Sequence, residues 1–144
     1  MKQTFSYTGR DNLDAMSYAL NYNNYIYSWL SKNLKRDDSV LDFGSGHGEF
    51  FNRFQDDNFS AVAIEPDLSM HQFYKNKTIY QSIDKVKRRF DLIYSVNVLE
   101  HVQDDEAIVK IFKDYLVDEE SIVKIFVPAR QELFSAMDRK VGHY

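Results

Sequence analysis

The stretch Ser39-Val40-Leu41-Asp42-Phe43-Gly44-Ser45-Gly46-His47-Gly48-Glu49-Phe50-Phe51 decides how the rest of the chain is read. A short run suited to a buried strand passes directly into three glycines at alternate positions, and a helix is expected to begin where they end. Glycines spaced in this way let the backbone turn sharply and approach a ligand with no Cβ in between. The strand is placed at Ser39–Phe43. Four more short β-branched or aromatic runs follow, at Ser60–Ile64, 78–80, 90–96 and 121–127. They are almost continuously apolar, as a sheet covered on both faces requires. Between the last two, Ala107, Ile108, Ile111, Phe112, Tyr115 and Leu116 share one helical face. Strand and helix in alternation predict an α/β fold, a doubly wound, mainly parallel sheet with right-handed crossovers.

Upstream of the strand, Leu13, Met16, Leu20, Tyr27, Leu30 and Leu34 recur at helical steps, so a helix is expected over 11–34, with Asp11 as its N-cap. The segment 21–25, rich in asparagine, predicts a bend or break near Asn23. With 44% apolar and 28% charged residues in 144, the composition is that of one globular domain. It divides into a helical cap at 1–36, a core at 37–128 and a C-terminal segment at 129–144. The absence of cysteine removes thiol nucleophiles and thiolate metal sites and fits a reducing, cytoplasmic setting. No run is long enough to span a membrane, and a net charge of -4 offers nucleic acid no general attraction. The basic run at 75–89 reads as a solvated face.

The site residues follow from the ends of the strands, where ligands bind in such sheets. Glu65 comes just after the second run, 19 residues beyond Gly46, and an acid there can accept both hydroxyls of a ribose. Loop and acid together predict an adenosine-containing ligand. A dinucleotide fingerprint would carry a third glycine where this chain has Glu49, and a carboxylate at a helix start repels a pyrophosphate. A ligand without phosphate is favoured, and Asp42 suits a cationic amino-acid moiety.

Asp42 to Gly48, then Ala63-Ile64-Glu65-Pro66-Asp67, then the segment from Phe90 to Val102 with Ser95-Val96-Asn97-Val98-Leu99-Glu100-His101, resemble the successive motifs of class I S-adenosylmethionine-dependent methyltransferases. The likeness covers about 38–130 and is nearest to type 11/12 members. It implies a Rossmann-like fold with S-adenosylmethionine as cofactor. Asp42, Phe43, Gly44, Ser45, Gly46 and Gly48 would then lie beneath its methionine part, and Glu65 with Pro66 at the ribose. Ser82 and Ile83 would border the adenine, and Asn97, Val98 and Leu99 would line the space beside the methyl. Arg10 or Tyr7 would meet the carboxylate. His101 is a candidate general base, and His143 lies in a segment that faces the acceptor in the family. Some relatives hold a divalent metal with Glu-x-x-Glu-His. Here Asn97 replaces the first Glu, and an amide is a poorer ligand for a hard cation, so no metal is expected. His47 and His71 read as surface residues.

Methyl transfer from a sulfonium needs alignment and exclusion of water more than a nucleophile. The expected activity is methylation of a small-molecule, sugar or lipid-precursor acceptor. The family sheet has seven strands, and this sequence is expected to supply five, without strands 6 and 7. A non-catalytic cofactor-binding or interaction module is therefore the alternative, with a nicotinamide-dependent oxidoreductase further off. An uncovered fifth strand invites self-association, unless Leu133, Phe134 and Met137 fold back over it.

Overall fold

A computed structural model describes residues 19–75 and 78–127. In it β1 (Ser39–Phe43), β2 (Ser60–Ile64), β3 (Ile79–Tyr80), β4 (Leu92–Val96) and β5 (Ile122–Phe126) form one sheet in the order β3-β2-β1-β4-β5. Every pairing is parallel: Val40 lies beside Ala61 on one side and Leu92 on the other, and Leu92 beside Ile122. Three helices, α1 (Leu20–Ser31), α2 (Glu49–Asp56) and α3 (Asp105–Phe112), accompany the strands.

Neighbouring strand residues point to opposite faces, and in β1, β2 and β4 both faces are mostly buried, whereas β3 and β5 stay partly exposed. Val40, Leu92 and Tyr94 pack with Ile26, Leu30, Phe51 and Phe54 of α1 and α2. Leu41, Val62 and Ile93 pack with Phe90 and Phe112 on the other side. This two-sided burial is why the strands read as unbroken apolar runs.

Three expectations change. The helix before β1 does not break at Asn23: α1 runs through 21–25, and Asn23 itself is buried. The packing of Ile26, Tyr27 and Leu30 outweighs the poor propensity of the asparagines, as tertiary contacts commonly do. Leu20, placed on the apolar stripe, is 68% exposed instead. The fourth strand starts at Leu92, because Phe90 has turned aside to form an isolated bridge with Leu116. Asp11, Leu13, Met16 and the segment 129–144, with Leu133, Phe134 and Met137, lie outside the described residues.

β5 ends the sheet and stays half-exposed, and the contacts it has on one face come from α1. Tyr22 and Trp29 meet the Phe126 ring edge-on, with centroids 6.0 and 6.2 Å away. Lys124 Nζ donates to the carbonyls of Trp29 (3.0 Å), Leu30 (2.7 Å) and Lys32 (3.1 Å). These are the orphan acceptors at the end of α1, where a cation also suits the helix dipole. Among the described residues no helix is long and apolar enough to cross a membrane.

Candidate functional site

The sheet changes winding direction between β1 and β4, and the crevice beyond their carboxyl ends is where such folds bind ligands. The glycine loop lies there. Gly44, Gly46 and Gly48 have φ of 81°, 53° and 73°, left-handed values that other residues adopt only at a cost. Gly44 N and Ser45 N both donate to the Ile64 carbonyl, at 2.9 and 3.1 Å, so the loop is tied to the end of β2. A Cβ on Gly44 would come within 2.5 Å of Val98, and one on Gly48 within 2.9 Å of the Tyr74 ring. The loop is thus closed in by the segment after β4 on one side and the segment after β2 on the other.

Glu65 is buried, with 7% of its surface exposed. Its Oε2 accepts from Gly46 N and its Oε1 from Asp67 N, each at 2.8 Å. A carboxylate has about four lone-pair sites, so both oxygens keep acceptor capacity for a ligand. Burial raises the pKa of Glu65, and the two amides work against that rise.

Asp42 lies on the α1 and α2 face at the end of β1, beside Tyr94 in register. Burial pushes its carboxyl up to about 8; the Tyr94 hydroxyl opposes the shift, and the charge of Glu65 adds to it. Among the described residues no lysine or arginine pairs with either acid. The two carboxyls are thus buried without a lysine or arginine partner among the described residues, and a cationic ligand would favour their charged forms and offset the cost of burying them.

After β4 the chain turns at Asn97, whose φ of 54° is left-handed and whose N–H donates to the Phe126 carbonyl at 2.8 Å. Val98 leans over Gly44, Leu99 is buried, and His101 is half-buried at the end of a short 3-10 turn, Leu99–His101. Phe43 packs edge-on against Phe112 at 5.1 Å, on the opposite face from Asp42. Ser82 and Ile83 open the 3-10 turn after β3, with the Ser82 hydroxyl bonded to Asp84; Pro66 is exposed between Glu65 and Asp67. The loop, Glu65 and the Asn97–Leu99 turn are thus adjacent, while Ser82 and Ile83 stand further along the same end of the sheet. Tyr7, Arg10 and His143 lie outside the described residues.

Two histidines are less peripheral than expected. His71 is half-buried, with Nε2 2.8 Å from the Glu65 carbonyl, and His47 stacks on Phe73 with ring centroids 4.3 Å apart. Tyr74 was not singled out at all, although its hydroxyl donates to the Gly46 carbonyl at 2.8 Å. No motif marks a tyrosine at that distance from Glu65. Among the described residues no group of three or more His, Asp and Glu is placed to hold a metal ion.

A family model described as a methyltransferase domain matches residues 17–133. No curated protein matches the chain. Among solved structures, DesVI of Streptomyces venezuelae is similar at 16% identity with a TM-score of 0.69, over 91% of this chain and 62% of its own. The sugar N-methyltransferase KedS8 from a Streptoalloteichus species is similar at 16% identity and a TM-score of 0.62, over 82% and 56%. The magnesium protoporphyrin IX methyltransferase of Synechocystis, solved with SAM bound, is similar at 13% identity and a TM-score of 0.58, over 67% and 54%. The chain therefore spans between about half and two-thirds of the length of these proteins.

Proposed function

This chain belongs to the methyltransferase-domain family, and from that premise we propose that it binds S-adenosylmethionine across the carboxyl ends of β2, β1 and β4 and methylates a small-molecule acceptor. The observation that carries this reading is the pair of buried acids around a left-handed glycine loop, with no cationic side chain paired to them among the described residues. A phosphate would be repelled there. A ligand bearing a sulfonium and an ammonium would be held, and both Glu65 oxygens retain capacity for ribose hydroxyls.

When bound, S-adenosylmethionine supplies a methyl group on a positively charged sulfur. The chain's own contribution is orientation. The glycine loop lets the backbone come close, Asp42 gives up its proton to oppose the ligand's positive charge, Val98 and Leu99 exclude water, and Ser82 and Ile83 border the base. His101 would take the proton that the acceptor releases. Arg10 or Tyr7 would meet the carboxylate, and His143 would face the acceptor. A sugar or lipid precursor is the class of acceptor proposed; KedS8, similar in fold, is a sugar N-methyltransferase.

Titration calorimetry with S-adenosylmethionine and with NADH tests the cofactor: binding of the first and none of the second is expected. Glu65→Ala should weaken binding by about 1.5 to 3 kcal/mol, since charged hydrogen bonds are lost and two backbone amides lose their acceptor. Unchanged affinity in that variant removes Glu65 from the site. Formation of S-adenosylhomocysteine on adding an amino sugar tests the acceptor class.

A further inference from the structure

Gly46 is held at both of its peptide groups by side chains distant in sequence. Its N–H donates to Glu65 Oε2, and its carbonyl accepts from the Tyr74 hydroxyl, each at 2.8 Å. The same hydroxyl contacts Ser45 Oγ. The Tyr74 ring lies against the Cα of Gly48 and tilts over Phe51, with centroids 5.3 Å apart. Tyr74 is 7% exposed, and the hydrogen bonds its hydroxyl makes are with the glycine loop. The segment that carries it is braced from α2: Asn52 Nδ2 donates to the Phe73 carbonyl and Lys75 N donates to Asn52 Oδ1, both at 3.3 Å.

A loop of three left-handed glycines has more freedom to lose than any other segment of its length. Unless that freedom is removed on folding, it is lost when a ligand binds, at the expense of affinity. We infer that Tyr74 is the positioning residue of the glycine loop, its hydroxyl and the Glu65 carboxylate together holding the Gly46 peptide in the conformation the cofactor meets. The inference rests on the reading of the site given above. It assigns to Tyr74 no contact with the reacting atoms.

Tyr74→Phe keeps the ring packing and deletes the hydroxyl. In the full chain, S-adenosylmethionine and S-adenosylhomocysteine should both lose affinity by the same factor, about 3- to 10-fold, as for one net hydrogen bond. Amide exchange of peptides covering 44–48 should quicken while that of 20–31 does not change. Ser45→Ala, which removes the second partner and leaves the Gly46 bond, should cost less affinity. Unchanged loop exchange overturns the inference, and so does faster exchange with unchanged affinity. Uniformly faster exchange across the chain, with affinity falling only as the melting temperature falls, reduces Tyr74 to a packing residue and also overturns it. If the unaltered chain binds neither ligand, the functional reading fails, and loop exchange in Tyr74→Phe then judges the clamp alone.

Discussion

Asp42 and Asp91 flank neighbouring strands at opposite ends of the sheet, one closing β1 and the other preceding β4. Asp91 is held by donors of the protein itself. Its Oδ2 accepts from both N–H and Oγ of Ser39 at 2.7 Å. Burial pushes its pKa up, but the Ser39 donors and the nearby Arg88 outweigh this and hold it below the usual carboxylate range. Asp42 has no such set of donors: it is buried within the influence of a second acid, Glu65, and its carboxyl is pushed up to about 8. The amino ends of the strands are thus finished structure. The carboxyl ends hold buried acids without a lysine or arginine partner among the described residues, together with left-handed glycines, features of the kind that cluster at functional sites.

The largest expected effect lies at the carboxyl end. Gly44→Val would place a branched side chain at a φ of 81° and drive it into Val98, destabilising the fold by about 2 to 5 kcal/mol and abolishing cofactor binding. Val98→Ala in the same chain should recover the part due to crowding and leave the backbone part. Urea midpoints separate the two; a Gly44→Val chain as stable as the original would show that the loop is not confined.

Asp91→Ala comes next, at about 1 to 3 kcal/mol of stability with cofactor affinity unchanged. If affinity fell instead, the two ends of the sheet would not be separable as scaffold and site.

Asp42→Asn should alter stability least of the three below about pH 4, where the carboxyl it replaces is protonated in the folded and the unfolded chain alike. The sign follows from the raised pKa. The folded chain binds a proton that the unfolded chain has released, so the contribution of Asp42 is fully present below about 4 and lost as pH rises toward 8. The asparagine variant should therefore gain on the original across that window, while its affinity for S-adenosylmethionine falls. Parallel melting temperatures from pH 4 to 8 in the two chains would place Asp42 in an ordinary solvated state.

The same contrast explains what the sequence made legible. β1 and β2 lie where their apolar runs placed them, because a strand buried on both faces leaves an unbroken signature. That the glycine loop and Glu65 come together at the ends of β1 and β2 was also readable, because a sharp turn after a strand demands glycine and the residue after β2 must lie beside that turn in a parallel sheet. α1 was misread in part, since whether Asn23 interrupts a helix depends on what packs against Ile26 and Leu30, which no local pattern contains. Tyr74 was invisible for a related reason. Its role comes from a hydroxyl arriving over a loop 28 residues away, and any core tyrosine looks the same in the chain.

The grip of Lys124 on the last carbonyls of α1 has a kinetic side. It joins residues 92 to 95 positions apart, and the parallel sheet between them must be assembled before the ammonium reaches its acceptors. High contact order of this kind slows folding. During synthesis α1 leaves the ribosome long before the strand that secures it. The end of the first described helix therefore stays unfastened until β5 has been translated and seated.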